Sequence, residues 1–380
     1  RMPVPEIVTQ MLAKGITSFY GGTACKPLFF DVQNKEEAAM EVDPRYVTIA
    51  KLTESEKVLE KNAGATLYDM DDGVMLLEFH TKMNAVDDDI IAAMHSAINK
   101  AEDEGWNGLV IGNEGKDAFS AGANIFAVMM AIQMGQWDQL EAMINSFQQA
   151  TLRMRQSDIP VVTAPAGLAL GGGAEIAMGG DAMRPAAELY MGLVELGVGL
   201  IPAGGGCLEM LERFMAGTPD DPGFNPLPMI QGAFMNIGMA KVCVGAEEGR
   251  TFGMLRPHDQ ITLNPELLFH NAKETVLGMA RAGYRQPRPA KFRLPGENGA
   301  TAIKWFLDGM MRGGQITEHE FKIASLLSRV LTGGDTSTRV KVGQQHILDL
   351  EREVFLKLCG EPKSQERIQH MLTKNKPLRN

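Results

Sequence analysis

The chain has 380 residues, of which 44% are hydrophobic and 22% charged, a size and composition that suit one large globular domain with an extension, or two domains. Its formal net charge of -10 argues against a general affinity for nucleic acid or an anionic membrane surface, so an anionic ligand would need a local basic site. No apolar run is long enough to cross a bilayer and the start lacks a charged-then-apolar signal peptide, so membrane insertion is not expected.

In chain order, RMPVPEIVTQMLAKGITSFY reads as a helix already in progress, so a fragment of something longer is the expectation. Residues 21–46 (GGTACKPLFFDVQNKEEAAMEVDPRY) form a polar, irregular segment with Gly and Pro punctuation, and KLTESEKVLEKNAG closes it, so residues 1–62 read as a helical stretch and connector. From Ala65 the texture changes. ATLYDMDDGVMLLEFH holds two apolar runs around the turn signal MDDG and predicts a hairpin. VDDDIIAAMHSAINKAEDEG predicts a helix whose acidic start suits the helix dipole, and GLVIGNEG a short buried strand. PVVTAPAGLAL then predicts a strand, GGGAEIAMGGD a helix start and AELYMG a strand. The repeated strand and helix order argues for an α/β layer architecture. Residues 218–228 (TPDDPGFNPLP) must be a loop. After it helices dominate, in NPELLFHNAKETVLGMARAGY, TEHEFKIASLLSRVLTGG, VGQQHILDLEREVFLKLCG and SQERIQHMLTKNKP. The expected division is a body over residues 63–285 and a helical extension over residues 286–380.

Three segments could carry chemistry. In PVVTAPAGLALGGGAEIAMGGD a strand runs into three glycines and a helix, a turn that exposes backbone N–H groups where the helix dipole favours negative charge. Glu175 follows Gly172 by three residues, which puts its carboxylate on the same face as that N–H. In DAFSAGANIFAV, small residues let a ligand lie against the backbone and let the N–H of Ala123 point outward. In AELYMGLVELGVGLIPAGGG, Glu195 is a lone acid in an apolar run, where desolvation would raise its proton affinity and suit a general acid. Each segment alone also fits a plain turn, or in the last case an exposed loop acid.

Taken together, FSAGAN, LGGGAE and LVELGVGLIPAGGG resemble, in order and spacing, the crotonase or enoyl-CoA hydratase family over roughly residues 65–285. The resemblance implies a crotonase-type spiral of ββα units, here with a C-terminal helical extension, and hydration of 2-enoyl-CoA thioesters in fatty acid β-oxidation. It also implies Ala123 and Gly172 as oxyanion donors and Glu175 and Glu195 as the catalytic acid/base pair. Ala121 and Ile125 flank the first donor and would contact coenzyme A. The whole chain is further similar to the C-terminal part of bacterial fusion proteins in which a 3-hydroxyacyl-CoA dehydrogenase precedes a hydratase domain. That implies a dehydrogenase domain of the same parent chain as a partner, and family usage leaves a homo-oligomer open.

Two departures stand out. Asn124 replaces the usual Asp, and no basic residue follows SAGAN, so Lys82 and Lys116 become the candidates for the coenzyme A phosphates. Coenzyme A would enter as part of the substrate, with no other cofactor. GNEGKDAF lacks the spacing of a phosphate loop, and no GxGxxG turn follows a strand, so no NAD site is expected in this chain. Cys25, Cys207, Cys243 and Cys359 lie far apart without a CxxC pair, which fits free thiols in a reducing, cytoplasmic setting and no metal centre. An enoyl-CoA isomerase, which can manage with one carboxylate, and a non-catalytic acyl-CoA-binding module are the competing functions.

Overall fold

A computed structural model describes residues 4–115 and 117–380 of the chain. After α1 (Glu6–Ala13) comes an antiparallel meander of β1 (Tyr20–Gly22), β2 (Pro27–Asp31) and β3 (Glu36–Ala39). The helix α2 (Ile49–Glu54) and strand β4 (Val58–Lys61) then lead into the hairpin of β5 (Ala65–Asp69) and β6 (Val74–Phe79). As MDDG predicts, Asp71, Asp72 and Gly73 take positive φ in that turn. The helix α3 (Asp88–Glu104) starts where Asp87 accepts from the N–H of Ile90 at 3.0 Å and stops at left-handed Gly105. Its buried Ile90, Met94, Ala97, Ile98 and Ala101 form one helical stripe.

The body then builds itself from three repeating units. They are β7 (Gly108–Gly112) and β8 (Ala118–Ser120) followed by α4 (Ile125–Gln133) and α5 (Trp137–Gln156); β9 (Val161–Ala164) and β10 (Gly167–Leu170) followed by α6 (Gly172–Gly179); and β11 (Ala182–Met183) and β12 (Leu189–Gly192) followed by a 3-10 turn (Glu195–Val198) and α7 (Gly206–Phe214). The first strand of each unit joins a six-stranded sheet of order β11-β9-β7-β6-β5-β4, and the second joins a small parallel sheet of order β12-β10-β8. This is the spiral of ββα units that the resemblance implies. Alternate residues of the large sheet serve opposite faces. Met75, Leu77, Leu109 and Ile111 point into the main core, whereas Val74, Leu76, Val110 and Val162 pack beneath Leu268, Phe269 and Val276 of a later helix.

The remaining helices are α8 (Leu227–Gly238), α9 (Ala246–Thr251) and α10 (Leu268–Arg281), then α11 (Glu297–Arg312), α12 (Glu318–Leu331), α13 (Gln344–Cys359) and α14 (Pro362–Lys374). A two-stranded ribbon of β13 (Lys291–Arg293) and β14 (Lys341–Gly343) ties the extension together. Ile347, Leu348 and Val354 of α13 share one apolar cluster with Leu208 of α7 and Phe147 of α5. The extension is therefore packed into the body.

Two expectations need correction. The segment read as irregular over residues 21–46 holds the β1 to β3 meander, whose second turn is built by Asp31 accepting from the N–H groups of Gln33 and Asn34 at 2.8 and 3.2 Å. Likewise KLTESEKVLEKNAG supplies part of α2 and also β4, an edge strand of the large sheet. PVVTAPAGLAL is two strands in two sheets rather than one, because Pro165 lacks the N–H a ladder needs and Gly167 turns with φ of 62°.

Candidate functional site

The site is assembled where the small sheet meets the glycine turn. β10 ends at Leu170, and Gly171 adopts φ of 51° and ψ of -123°, a conformation open to glycine and strained for other residues. Its N–H donates to the Gly192 carbonyl at 2.9 Å. A methyl group there would also lie 3.0 Å from Glu195 Oε1. The next residue, Gly172, opens α6 and has a helix-terminal N–H with no intrahelical acceptor.

Across from it, β8 runs into Ala121, Gly122 and Ala123. Val86 bridges this stretch, donating its N–H to the Gly122 carbonyl at 2.9 Å and accepting from Asn124 at 3.0 Å. That pairing turns the N–H of Ala123 away from the bridge. A methyl group on Gly172 would sit 3.1 Å from Ala123 N, so the two turns touch. Among the described residues, neither the Ala123 nor the Gly172 N–H has an acceptor. Two unpaired N–H groups side by side can hold one oxyanion. Asn124, in place of the family's Asp, caps α4 by accepting from the N–H of Ala127 at 3.2 Å.

Two carboxylates close the site. Glu175 is buried on the first turn of α6, and its Oε1 accepts from the N–H groups of Gly204 and Gly206, each at 2.8 Å. Burial pushes its carboxyl up to about 7 against the pull of those N–H groups. Glu195 opens the 3-10 turn, and its Oε2 is sealed from solvent with no hydrogen-bond partner among the described residues. Burial raises this carboxyl well above the ordinary carboxylate range, and the charges of Glu175 and Glu351 add to the effect. Glu195 is only half-buried as a residue; its carboxyl is what the fold encloses.

Glu351 is the site residue that sequence reading missed. It comes from α13, is fully buried, and binds the same glycine turn as Glu175. A signal for it exists: Glu351 lies on the apolar stripe of its helix, three or four residues from Ile347, Leu348, Val354 and Phe355. α14 braces the segment that carries Glu195, since Ser364 Oγ donates to the Gly199 carbonyl at 2.6 Å and the Arg367 guanidinium to the Leu196 carbonyl at 3.3 Å. Further along α7, Glu209 pairs with Arg155, Arg213 and Arg256. Burial would raise Glu209, but these three cations outweigh it and hold the carboxyl low.

The remaining candidates flank the first turn. Ala121 is exposed and donates its N–H to the Met83 carbonyl at 3.1 Å, which places the 3-10 turn Lys82–Asn84 beside it. Lys82 is exposed on that turn, and Ile125 is half-buried at the start of α4. Lys116 lies outside the described residues. Among the described residues, no group of three or more His, Cys, Asp or Glu side chains is arranged to hold a metal ion, and no helix is long and apolar enough to cross a membrane.

Residues 69–216 match the family model described as enoyl-CoA hydratase/isomerase. Over 377 residues the chain is 39% identical to a probable 3-hydroxyacyl-CoA dehydrogenase of Bacillus subtilis (strain 168), covering 99% of this chain and 47% of that protein. It is 27% identical over 317 residues to a putative fatty acid oxidation complex trifunctional enzyme of Rickettsia felis, covering 83% of this chain and 40% of the relative. The chain thus spans less than half the length of these curated relatives. Among solved structures it is similar to an enoyl-CoA hydratase from Bacillus halodurans, with a TM-score of 0.55 and 15% identity, covering 81% of this chain and 99% of that one. A carnitinyl-CoA dehydratase from Mycobacterium thermoresistibile gives a TM-score of 0.58 at 14% identity, covering 82% and 90%. At such identities the likeness shows the crotonase-type fold.

Proposed function

We propose that the chain, whose residues 69–216 match the enoyl-CoA hydratase/isomerase family model, adds water across the double bond of a 2-enoyl-CoA thioester to give a 3-hydroxyacyl-CoA. The observation that carries this is the meeting of two buried carboxyls of raised proton affinity with two unpaired backbone N–H groups.

The thioester oxygen would sit between the N–H groups of Ala123 and Gly172, which stabilise the enolate charge developing on it by a few kcal/mol in a water-poor site. Glu175 is the base: one of its oxygens is occupied by Gly204 and Gly206, leaving Oε2 to take a proton from the attacking water. Its carboxyl, near 7, is ionised in a substantial fraction at neutral pH. Glu195 is the acid, because a carboxyl raised well above the ordinary range keeps its proton for C2. The water's OH bonds to C3 as the C2=C3 double bond breaks, and its proton stays on Glu175 until the pair re-equilibrates. Ala121 and Ile125 would contact coenzyme A, with Lys82 and Lys116 toward its phosphates. Cytoplasmic fatty acid β-oxidation, as the hydratase part of a longer dehydrogenase/hydratase protein, is the setting this reading implies.

Hydration in water enriched in oxygen-18 tests the reaction type. Incubation with a short 2-enoyl-CoA should yield 3-hydroxyacyl-CoA carrying the label at C3. A product consisting of 3-enoyl-CoA without label would replace hydration by isomerisation, the other activity in the family's description.

A further inference from the structure

Glu351 sits in the middle of α13, 0% exposed, far along the chain from either catalytic glutamate. Its Oε2 accepts from the N–H of Gly205 at 3.0 Å and its Oε1 from that of Leu208 at 2.9 Å. These bonds interleave with those of Glu175, which takes the Gly204 and Gly206 N–H groups of the same turn. The start of α7 therefore presents four N–H groups to two carboxylates, one from the body and one from the extension.

We propose that Glu351 is a positioning residue of the acid/base site: by holding Gly205 and Leu208 it fixes the turn whose other two N–H groups hold Glu175, so that the helical extension completes the site. The proposal rests on the hydratase reading above. An apolar residue would continue the buried stripe of α13 but leave the Gly205 and Leu208 N–H groups buried without an acceptor, so Glu351 also caps the start of α7.

The groups facing Glu351 are Glu175 from α6, Glu195 from its 3-10 turn, Cys207 from α7 and the Gln148 amide from α5. None of them is a cation. Burial and then the Glu175 charge push the Glu351 carboxyl itself well above its ordinary range, against the pull of the Leu208 and Gly205 N–H groups and the Gln148 amide; in its ionised form Glu351 favours the protonated form of Glu195, which is the form the reaction needs. It also raises the Cys207 thiol, already lifted by burial, and keeps it inert.

Glu351→Gln and Glu351→Asp, made in the full chain, test the proposal through the pH dependence of hydration. Glu351→Gln can carry no charge, so wherever wild-type Glu351 is ionised the variant's Glu195 has the lower proton affinity, and the basic limb of the Glu351→Gln profile should move to lower pH. Its kcat should fall about tenfold or more while KM stays within about twofold. Glu351→Asp keeps a carboxyl and should keep the basic limb, with a lower kcat from its shorter reach. A Glu351→Gln enzyme that merely melts earlier, with wild-type kcat and an unmoved basic limb, would overturn the proposal; if that variant does not fold, wild-type kcat in Glu351→Asp would do the same. Infrared spectroscopy of the protonated carboxyl supplies a readout that needs no turnover. The band lost in Glu195→Gln should disappear at lower pH in Glu351→Gln than in wild type. Should the wild-type chain hydrate nothing, the hydratase reading fails, and this band still decides for or against Glu351.

Discussion

Enclosing the Glu195 carboxyl makes stability depend on pH. Its carboxyl is raised from 4.5 mainly by burial and then by Glu175 and Glu351. Above that value the unfolded chain releases a proton that the native state keeps, so the native state binds more protons and stability falls as pH rises toward the folded value. Glu195→Gln has no such proton to lose. Calorimetric melting should show the variant gaining on wild type steadily as pH rises above about 5. A difference that does not vary with pH would contradict the enclosed carboxyl. At this scale Glu175 and Glu195 were legible because they stand at fixed spacing from glycine turns that have a local physical meaning. Glu351 was not, because a glutamate within DLERE becomes significant only once α13 is known to press that face onto the start of α7.

At the scale of elements, α14 and the Glu195–Val198 turn form a matched pair. Gly199 ends that turn with φ of 80°, and a methyl group there would lie 2.8 Å from Ser364 Cα. Gly197, two residues earlier, has a methyl position whose nearest contact is Pro377 at 3.9 Å and no positive φ. Gly199→Ala should therefore cost about 2 to 4 kcal/mol, from left-handed strain and backbone displacement together. Gly197→Ala should melt close to wild type, so equal melting temperatures for the two variants would refute the close packing of α14 on the turn. Elements with their own punctuation were readable: the MDDG hairpin from its turn, and α3 from Asp87 and its apolar stripe. The meander β1 to β3 was not, because β1 is exposed throughout and β3 nearly so, which leaves no alternating apolar pattern. The break between β9 and β10 was hidden by apolar residues on both sides, since each strand is short and largely buried in a different sheet.

Over the whole molecule, the spiral supplies the glycine turn and Glu175, and the extension supplies Glu351, Ser364 and Arg367, which hold the start of α7 and the segment that carries Glu195. Residues 286–380 were expected as helices that cover or join the body, and the structure places four helices and the β13–β14 ribbon there. That α13 reaches the centre of the site depends on packing between residues well over a hundred positions apart, which local sequence pattern does not encode. The central claim is that Glu175 and Glu195 act together in adding water to a 2-enoyl-CoA. The most direct test is steady-state hydration of a short 2-enoyl-CoA by wild type, Glu175→Gln and Glu195→Gln, with circular dichroism to establish that each variant is folded. Each variant should lose about two orders of magnitude or more in turnover. Near-wild-type turnover in both folded variants would contradict the account.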